Sequence, residues 1–247
     1  MKTIKKIISY PLTILYYLVF GFILLIFHPI QWIAYNLFGY QAHKKVVDIF
    51  NYLLIKALLI LGVRVKFDNA YEIPDKVPLI IVSNHQGIYD ISPLSWFFRK
   101  YHPKFVSKKE LGKGIPSVSY NLTHGGSVLI DRKDPKQAIS ALINFAKYIN
   151  KNKYSAVIFP EGTRSRTGKP KKFSVNGFKT LVKFNKNGYV IPVTINNSYK
   201  ITKNGAFPLN IGITLEVKAH KPLKIADFNF EDLFKKTEEI IKKDIIL

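Results

Sequence analysis

The amino-acid sequence predicts an α/β fold: a mixed, mostly parallel sheet with flanking helices, preceded by an N-terminal hydrophobic helical membrane anchor. Three observations predict it. Four short apolar runs, LIIV (79–82), VLI (128–130), AVIF (156–159) and YVIPVTI (189–195), each stop at polar or charged residues. Between the second and third, Ala138, Ile139, Leu142, Ile143, Ala146 and Ile149 recur at helical spacing. Near the N-terminus, the sixteen residues from Leu12 to Phe27 carry no charge. Strands covered by helices on both faces read as continuous apolar runs, and strands alternating with helices are the pattern of parallel α/β units.

Taken in chain order, the anchor comes first. Lys2, Lys5 and Lys6 precede the uncharged run and His28-Pro29 follows it. A sixteen-residue helix is about 24 Å long, short of the roughly 30 Å hydrocarbon core, so spanning requires residues 30–35, past the proline. No small-x-small site follows the run, which argues against a cleaved signal peptide. A second apolar segment, 46–63, carries Asp48, Asn51 and Lys56, which fall with Lys44 and Lys45 inside about 140° of arc. That stripe suits a helix lying in an interface and a core helix equally. Basic residues on both sides of the first segment place both its ends on the cytoplasmic face, as in a hairpin or re-entrant anchor, with a single span as the alternative. Apolar periodicity stops at residues 66–69, which divides the chain into an anchor (1–64) and a globular domain (65–247).

Within the globular domain, Pro135 suits the first turn of a helix over 135–150, and a second helix over 177–187 is stopped by Gly188. A late strand over 211–218 and a terminal helix from Phe230 make a mixed sheet the expected form. Ligands of such sheets gather beyond the carboxyl ends of the parallel strands, where the polar residues that end the four runs would converge.

Thirty-eight Lys and Arg stand against sixteen Asp and Glu, a net charge of +22 on a chain with a mean hydropathy of +0.04. The excess calls for an anionic partner: nucleic acid, anionic membrane lipid or a phosphorylated substrate. The apolar N-terminus argues against nucleic acid, and Tyr16, Tyr17, Trp32 and Tyr35 suit a membrane interface better than nucleobase stacking. Lys169, Lys171 and Lys172 read as a solvated loop, with a face to anionic lipid as the alternative. Zero cysteines exclude disulfides, thiolate nucleophiles and Cys-ligated metals. The six histidines are scattered with no HExxH, so no metal is expected, and neither GxGxxG nor a P-loop is present.

Two constellations carry chemistry. His85 and Asp90 lie five apart, about 140° around a continuous helix and too far to meet. They meet if His85 sits in the turn leaving the first run, Gly87 supplies the turn and Asp90 opens the next helix. A carboxylate that holds one imidazole nitrogen protonated leaves the other as a neutral base for a hydroxyl proton. A structural His–Asp pair is the competing reading. Pro160-Glu161-Gly162-Thr163-Arg164 directly follows the third run: Gly162 allows close backbone approach and Arg164 offers a planar fork for phosphate. Arg132, ending the neighbouring apolar run, brings a second guanidinium to that edge, and Glu161 is placed as an Arg partner or a contact to a substrate hydroxyl. Solvated surface arginines are the alternative.

Asn84-His85-Gln86-Gly87-Ile88-Tyr89-Asp90, then residues 126–132 (GSVLIDR), 159–165 (FPEGTRS) and 190–193 (VIPV), resemble the four ordered blocks of the glycerolipid acyltransferase family, nearest to its bacterial lysophosphatidic acid acyltransferases. The resemblance covers about residues 77–200. It implies a glycerol-3-phosphate acyltransferase-like domain over 65–247 with His85 as general base and Asp90 orienting it. It implies Lys108, Arg132, Glu161, Gly162, Thr163 and Arg164 at the acceptor's phosphate and glycerol, and Pro192 on the acyl-donor side. Lysophosphatidic acid is then the acceptor, acyl-CoA or acyl carrier protein the co-substrate carrier, and phosphatidic acid the product, with no cofactor or metal. Gly87 stands where many members carry Ser, and residues 112–124 depart from the family pattern. Acylation of another lyso-lipid, or a non-catalytic polybasic membrane adaptor, are the alternatives.

Overall fold

The computed structural model describes residues 2–247, with side chains from residue 4 onward. The N-terminal segment is a helix, α1 (Lys2–Ala57), that runs through Pro11 and Pro29 and breaks only at Gly39. Gly39 has φ 76° and ψ −169°, a left-handed conformation that a side chain resists, so the chain reverses there. The helix continues past Pro29 through residues 30–35, as spanning requires, and about 55 Å of helix precedes the break.

The second half of α1 is a core helix. Phe50, Leu54 and Ala57, with Leu58, Leu61 and Val63 beyond it, share one apolar cluster with Leu79, Ile81, Leu94 and Val217 of the globular part. Tyr16 and Ile23 of the first half join the same cluster. Lys104 is buried over the rings of Tyr40 and Tyr154 (4.7 and 5.4 Å), and burial pulls its amine down to about 7. One face of α1 is therefore packed into the fold, while Ile7, Ile14, Leu18, Phe22, Leu37 and Phe38 leave an apolar face of it exposed. It is the one helix among the described residues long and apolar enough to cross a membrane.

The sheet is built from β1 (Arg64–Asn69), β2 (Leu79–Ser83), β3 (Pro103–Lys108), β4 (Val128–Ile130), β5 (Ser155–Ile158), β6 (Tyr189–Asn196), β7 (Thr214–Ala219) and β8 (Leu223–Lys224). Its order is β1-β7-β6-β2-β5-β3-β4, with β8 paired to β6. The five strands from β6 to β4 are parallel, whereas β7 and β8 run antiparallel to β6. α1 and α2 (Ile91–Phe97) cover one face. The other is covered by α4 (Pro135–Asn152), α5 (Val175–Phe184) and α7 (Phe230–Lys243). The short α3 (Val118–His124) and α6 (Ser198–Ile201) complete the chain.

Three strands fall where none is predicted: β1, β3 and the two-residue β8. Residues 66–69 lie inside β1, which pairs in parallel with β7 from Arg64↔Thr214 to Asn69↔Ala219. Its alternation of charged and apolar residues suits a strand covered on one face. β3, opened by a proline and closed by a lysine, sits between β5 and β4, so β4 is not the neighbour of β5. α5 stops at Phe184, three residues before the expected end. The buried Asn185 side chain donates to the Leu181 and Ala146 carbonyls and closes the helix there. The late strand starts at Thr214.

Candidate active site

The carboxyl ends of the parallel strands meet on one edge, and the turn after β2 is held there by side-chain hydrogen bonds. Asn84 extends the β2–β6 pairing with its side chain: Nδ2 donates to the Ile195 carbonyl (2.8 Å), and the Ile195 N–H donates back to Oδ1 (2.7 Å). The backbone is thereby free to leave the sheet while the strands stay clamped. His85 follows. Its Nδ1 lies 2.7 Å from Asp90 Oδ2, which also accepts the backbone N–H groups of Gln86 (2.7 Å) and Gly87 (2.9 Å). An oxygen that already accepts two donors takes the imidazole as a third, so Nδ1 carries the proton and Nε2 presents a lone pair. Asp90 is fully buried, and the His85 side chain is 17% exposed. The pair meets in the predicted way, with His85 in the turn and Asp90 just before α2.

Gly87 has a different role from the expected one. Its φ of −158° is extended backbone open to any residue, so the turn does not need glycine for flexibility. What it needs is space: a Cβ there would lie 2.7 Å from Ser198 Oγ, a buried hydroxyl with no hydrogen-bond partner. Ser198 opens α6, directly after β6, and brings a hydroxyl against the turn. Gly87→Ala therefore forces either the Ser198 hydroxyl to rotate or the turn that carries His85 to shift. Turnover should fall several-fold, and Ser198→Ala added to Gly87→Ala should restore most of it; steady-state kinetics of the two variants checks this.

The segment after β5 wraps His85. Phe159 stacks on the imidazole (centroids 4.1 Å apart, 19° between planes), and the Ser165 N–H donates to the His85 carbonyl (2.7 Å). Glu161 Oε1 accepts the His85 N–H, and Oε2 accepts the Lys171 N–H, both at 2.9 Å. Burial pushes the Glu161 carboxyl up against the opposing pull of those donors. Its hydrogen-bond partners are backbone amides rather than an arginine, so Glu161 ties two loops to the base. Glu161→Gln keeps only one acceptor oxygen and turns an NH2 toward an N–H. A buried unsatisfied donor costs about 1–3 kcal/mol. A lowered melting temperature together with a fall in kcat is expected, measured by thermal denaturation and kinetics.

The cations line the same edge. Arg132 lies just beyond β4, and its guanidinium donates to the Gly162 carbonyl, reaching past the end of the intervening β3. Gly162 holds φ 68°, which turns that carbonyl toward Arg132. Lys108 ends β3 with its side chain exposed, and the next residue, Lys109, pairs with Asp131 at 3.6 Å. Thr163 and Arg164 are exposed at the rim, and Lys171 Nζ donates to the Arg164 carbonyl (3.2 Å). Pro192 lies within the sheet, buried and in register with Val82. It occupies the point where the outer edge of β6 changes partner, from β8 at Val190 to β7 at Val193, and its carbonyl accepts the His220 N–H (2.9 Å). A proline is tolerated mid-strand where no ladder donor is required. Among the described residues, no group of three or more His, Cys, Asp or Glu is placed to hold a metal ion.

Sequence reasoning singled out the base, its partner and the cations, but not the supports Asn84, Phe159, Ser165 and Ser198, and it read Lys171 only as part of a solvated loop. Asn84, Phe159 and Ser165 sit inside the motif blocks, where their adjacency to His85 or Glu161 was the available signal.

An acyltransferase family model ("Acyltransferase") matches residues 64–196. A 1-acyl-sn-glycerol-3-phosphate acyltransferase of Helicobacter pylori is 41% identical over 92 residues, 36% of each chain. One of Borreliella burgdorferi is 28% identical over 192 residues, 76% of this chain and 74% of the relative. In structure, the 1-acyl-sn-glycerophosphate (LPA) acyltransferase of Thermotoga maritima superimposes with a TM-score of 0.78 over 99% of this chain and 96% of that one, at 24% identity.

Proposed function

Since the chain belongs to the acyltransferase family, whose model matches more than half of its length, we propose that it moves an acyl group from a thioester to the free hydroxyl of 1-acyl-glycerol-3-phosphate, giving phosphatidic acid. The observation that carries the reading is a His85 base, oriented by a buried Asp90, on the same strand-end edge as Arg132, Arg164 and Lys108. His85 Nε2 takes the acceptor hydroxyl's proton as the oxygen attacks the thioester carbonyl. The tetrahedral intermediate then collapses, the C–S bond breaks, and the imidazolium returns its proton to the departing thiolate. A chain with no cysteine has no thiol to form an acyl-cysteine intermediate, and direct transfer between the two substrates needs none. The cations supply charge-assisted hydrogen bonds to the acceptor phosphate. The curated relatives are named for this acceptor, which supports the choice.

Membrane attachment at the cytoplasmic face belongs to the same proposal. The exposed apolar face of α1 is suited to lipid, and α1 passes close to the site: Tyr16 packs against Tyr89, one residue before Asp90 (ring centroids 6.3 Å apart). An acceptor held in a leaflet would present its glycerol headgroup to His85 without leaving lipid. Either acyl-CoA or acyl carrier protein serves as donor in this scheme. The test is the purified full-length protein with radiolabelled lysophosphatidic acid and each donor in turn. Labelled phosphatidic acid is expected. Product formed only from a lyso-lipid with another headgroup, or no product at all, would overturn the assignment.

A further inference from the structure

We propose that the loop between α6 and β7 is a second membrane-inserting element, with Phe207 entering the headgroup–acyl boundary of an anionic bilayer beside α1. The proposal rests on the membrane reading above and extends it to a surface about 190 residues further along the chain.

The loop is built onto α1 at the border of its exposed face. Tyr17 donates its hydroxyl to the Ala206 carbonyl (2.5 Å), Thr13 Oγ1 accepts the Leu209 N–H (3.0 Å), and Tyr10 meets the Phe207 ring edge-on (centroids 5.4 Å apart). Tyr10, Thr13 and Tyr17 lie on one stripe of the helix at i, i+3 and i+7. Leu209 is fully buried and pins the loop, and Asn210 ties its base to α6 through the Lys200 and Ile201 carbonyls (2.6 and 2.9 Å). A loop fixed at both ends nonetheless leaves Phe207 51% exposed, a large apolar ring held in water by its own scaffold.

Two features select a lipid surface as the occupant. Phe207 is continuous with the exposed apolar face of α1, and its aromatic neighbours Tyr10 and Tyr17, each 39% exposed, have the amphipathic character found at membrane interfaces. Cations border it: Lys203 is exposed at the start of the same loop. The exposed Arg166 and Lys169 lie beside α6, where Tyr199 packs on Gly168. An apolar tip with a lysine in its own loop and further cations beside α6 matches the boundary between acyl chains and anionic headgroups.

The absence of cysteine from the chain makes the test clean. Single variants Phe207→Cys, Leu18→Cys on the exposed face of α1 and Lys151→Cys at the far end of α4 are labelled in the full-length protein with an environment-sensitive fluorophore. They are then mixed with phosphatidylglycerol-containing vesicles that carry a spin label on the acyl chain. Quenching at 207 within about twofold of that at 18, and at least fivefold above that at 151, is expected. Quenching at 18 but not at 207 would overturn the proposal and leave the membrane reading standing. Quenching at neither would overturn both. Unlabelled Phe207→Ser should lower vesicle partitioning at least threefold with the size of the protein in solution unchanged. Unchanged partitioning with an altered oligomeric state would assign the face to a second copy of the chain instead.

Discussion

Replacing His85 with alanine in the full-length protein should lower kcat by about 10²- to 10⁴-fold, the usual worth of a general base, with folding and vesicle binding retained. The imidazole is partly exposed, and its ring supports the Phe159 stack and one of the three hydrogen bonds to Asp90 Oδ2, so its loss leaves the buried sheet intact. Asp90 is a different case. One oxygen, Oδ2, accepts the imidazole and two backbone N–H groups, while Oδ1 is buried without a partner. Asp90→Asn would therefore keep the turn if the amide oxygen took the place of Oδ2, but would lose the charge that stabilises an imidazolium and leave its NH2 without an acceptor where Oδ1 lies. Asp90→Ala would free both N–H groups as well. The expected loss is smaller for Asp90→Asn than for Asp90→Ala. His85→Ala combined with Asp90→Asn should be scarcely worse than His85→Ala alone, because the two side chains work as a unit. Single-turnover rates on protein free of host acyltransferase measure this: near-normal turnover in His85→Ala would remove His85 from the role of base, and no turnover in the unsubstituted protein would favour the non-catalytic membrane adaptor.

The second large effect is expected at Arg164. Arg132 is tied to the Gly162 carbonyl, so its removal disturbs the loop as well as any phosphate contact. Arg164 is exposed at the rim, which makes it the cleaner probe. A hydrogen bond to a charged group is worth about 1.5–3 kcal/mol, which corresponds to about ten- to a hundredfold in binding. Arg164→Ala should raise the acceptor KM by that factor and leave the donor KM unchanged. Arg164→Lys should rescue poorly because an ammonium cannot reproduce the planar fork. Activity on a phosphate-free monoacylglycerol should hardly change. Equal losses on both acceptors would reassign Arg164 to the donor or to the loop's structure.

Much of this protein was determined by local sequence. Buried parallel strands must be apolar along their whole length, so β2, β4, β5 and β6 were legible as uninterrupted runs. The apolar stripe and Pro135 marked α4. His85 and Asp90 were legible because their pairing closes within five residues, a distance one turn can span. The tertiary structure decided what depends on which strands become neighbours. β1 and β3 carry lysines and present only part of their surface to the core, so no continuous apolar run marked them. The place of β3 between β5 and β4 sets how far Arg132 must reach to Gly162. Glu161 reaches the His85 amide across 76 residues, and Asn84 reaches Ile195 across 111. Leu209 finds Thr13 across 196, which turned part of an apparent anchor into a wall of the core and brought Phe207 to the border of its exposed face. Periodicity records how much of an element is buried, because burial acts on each side chain separately. It does not record against what, because partners are chosen by the packing of the whole chain.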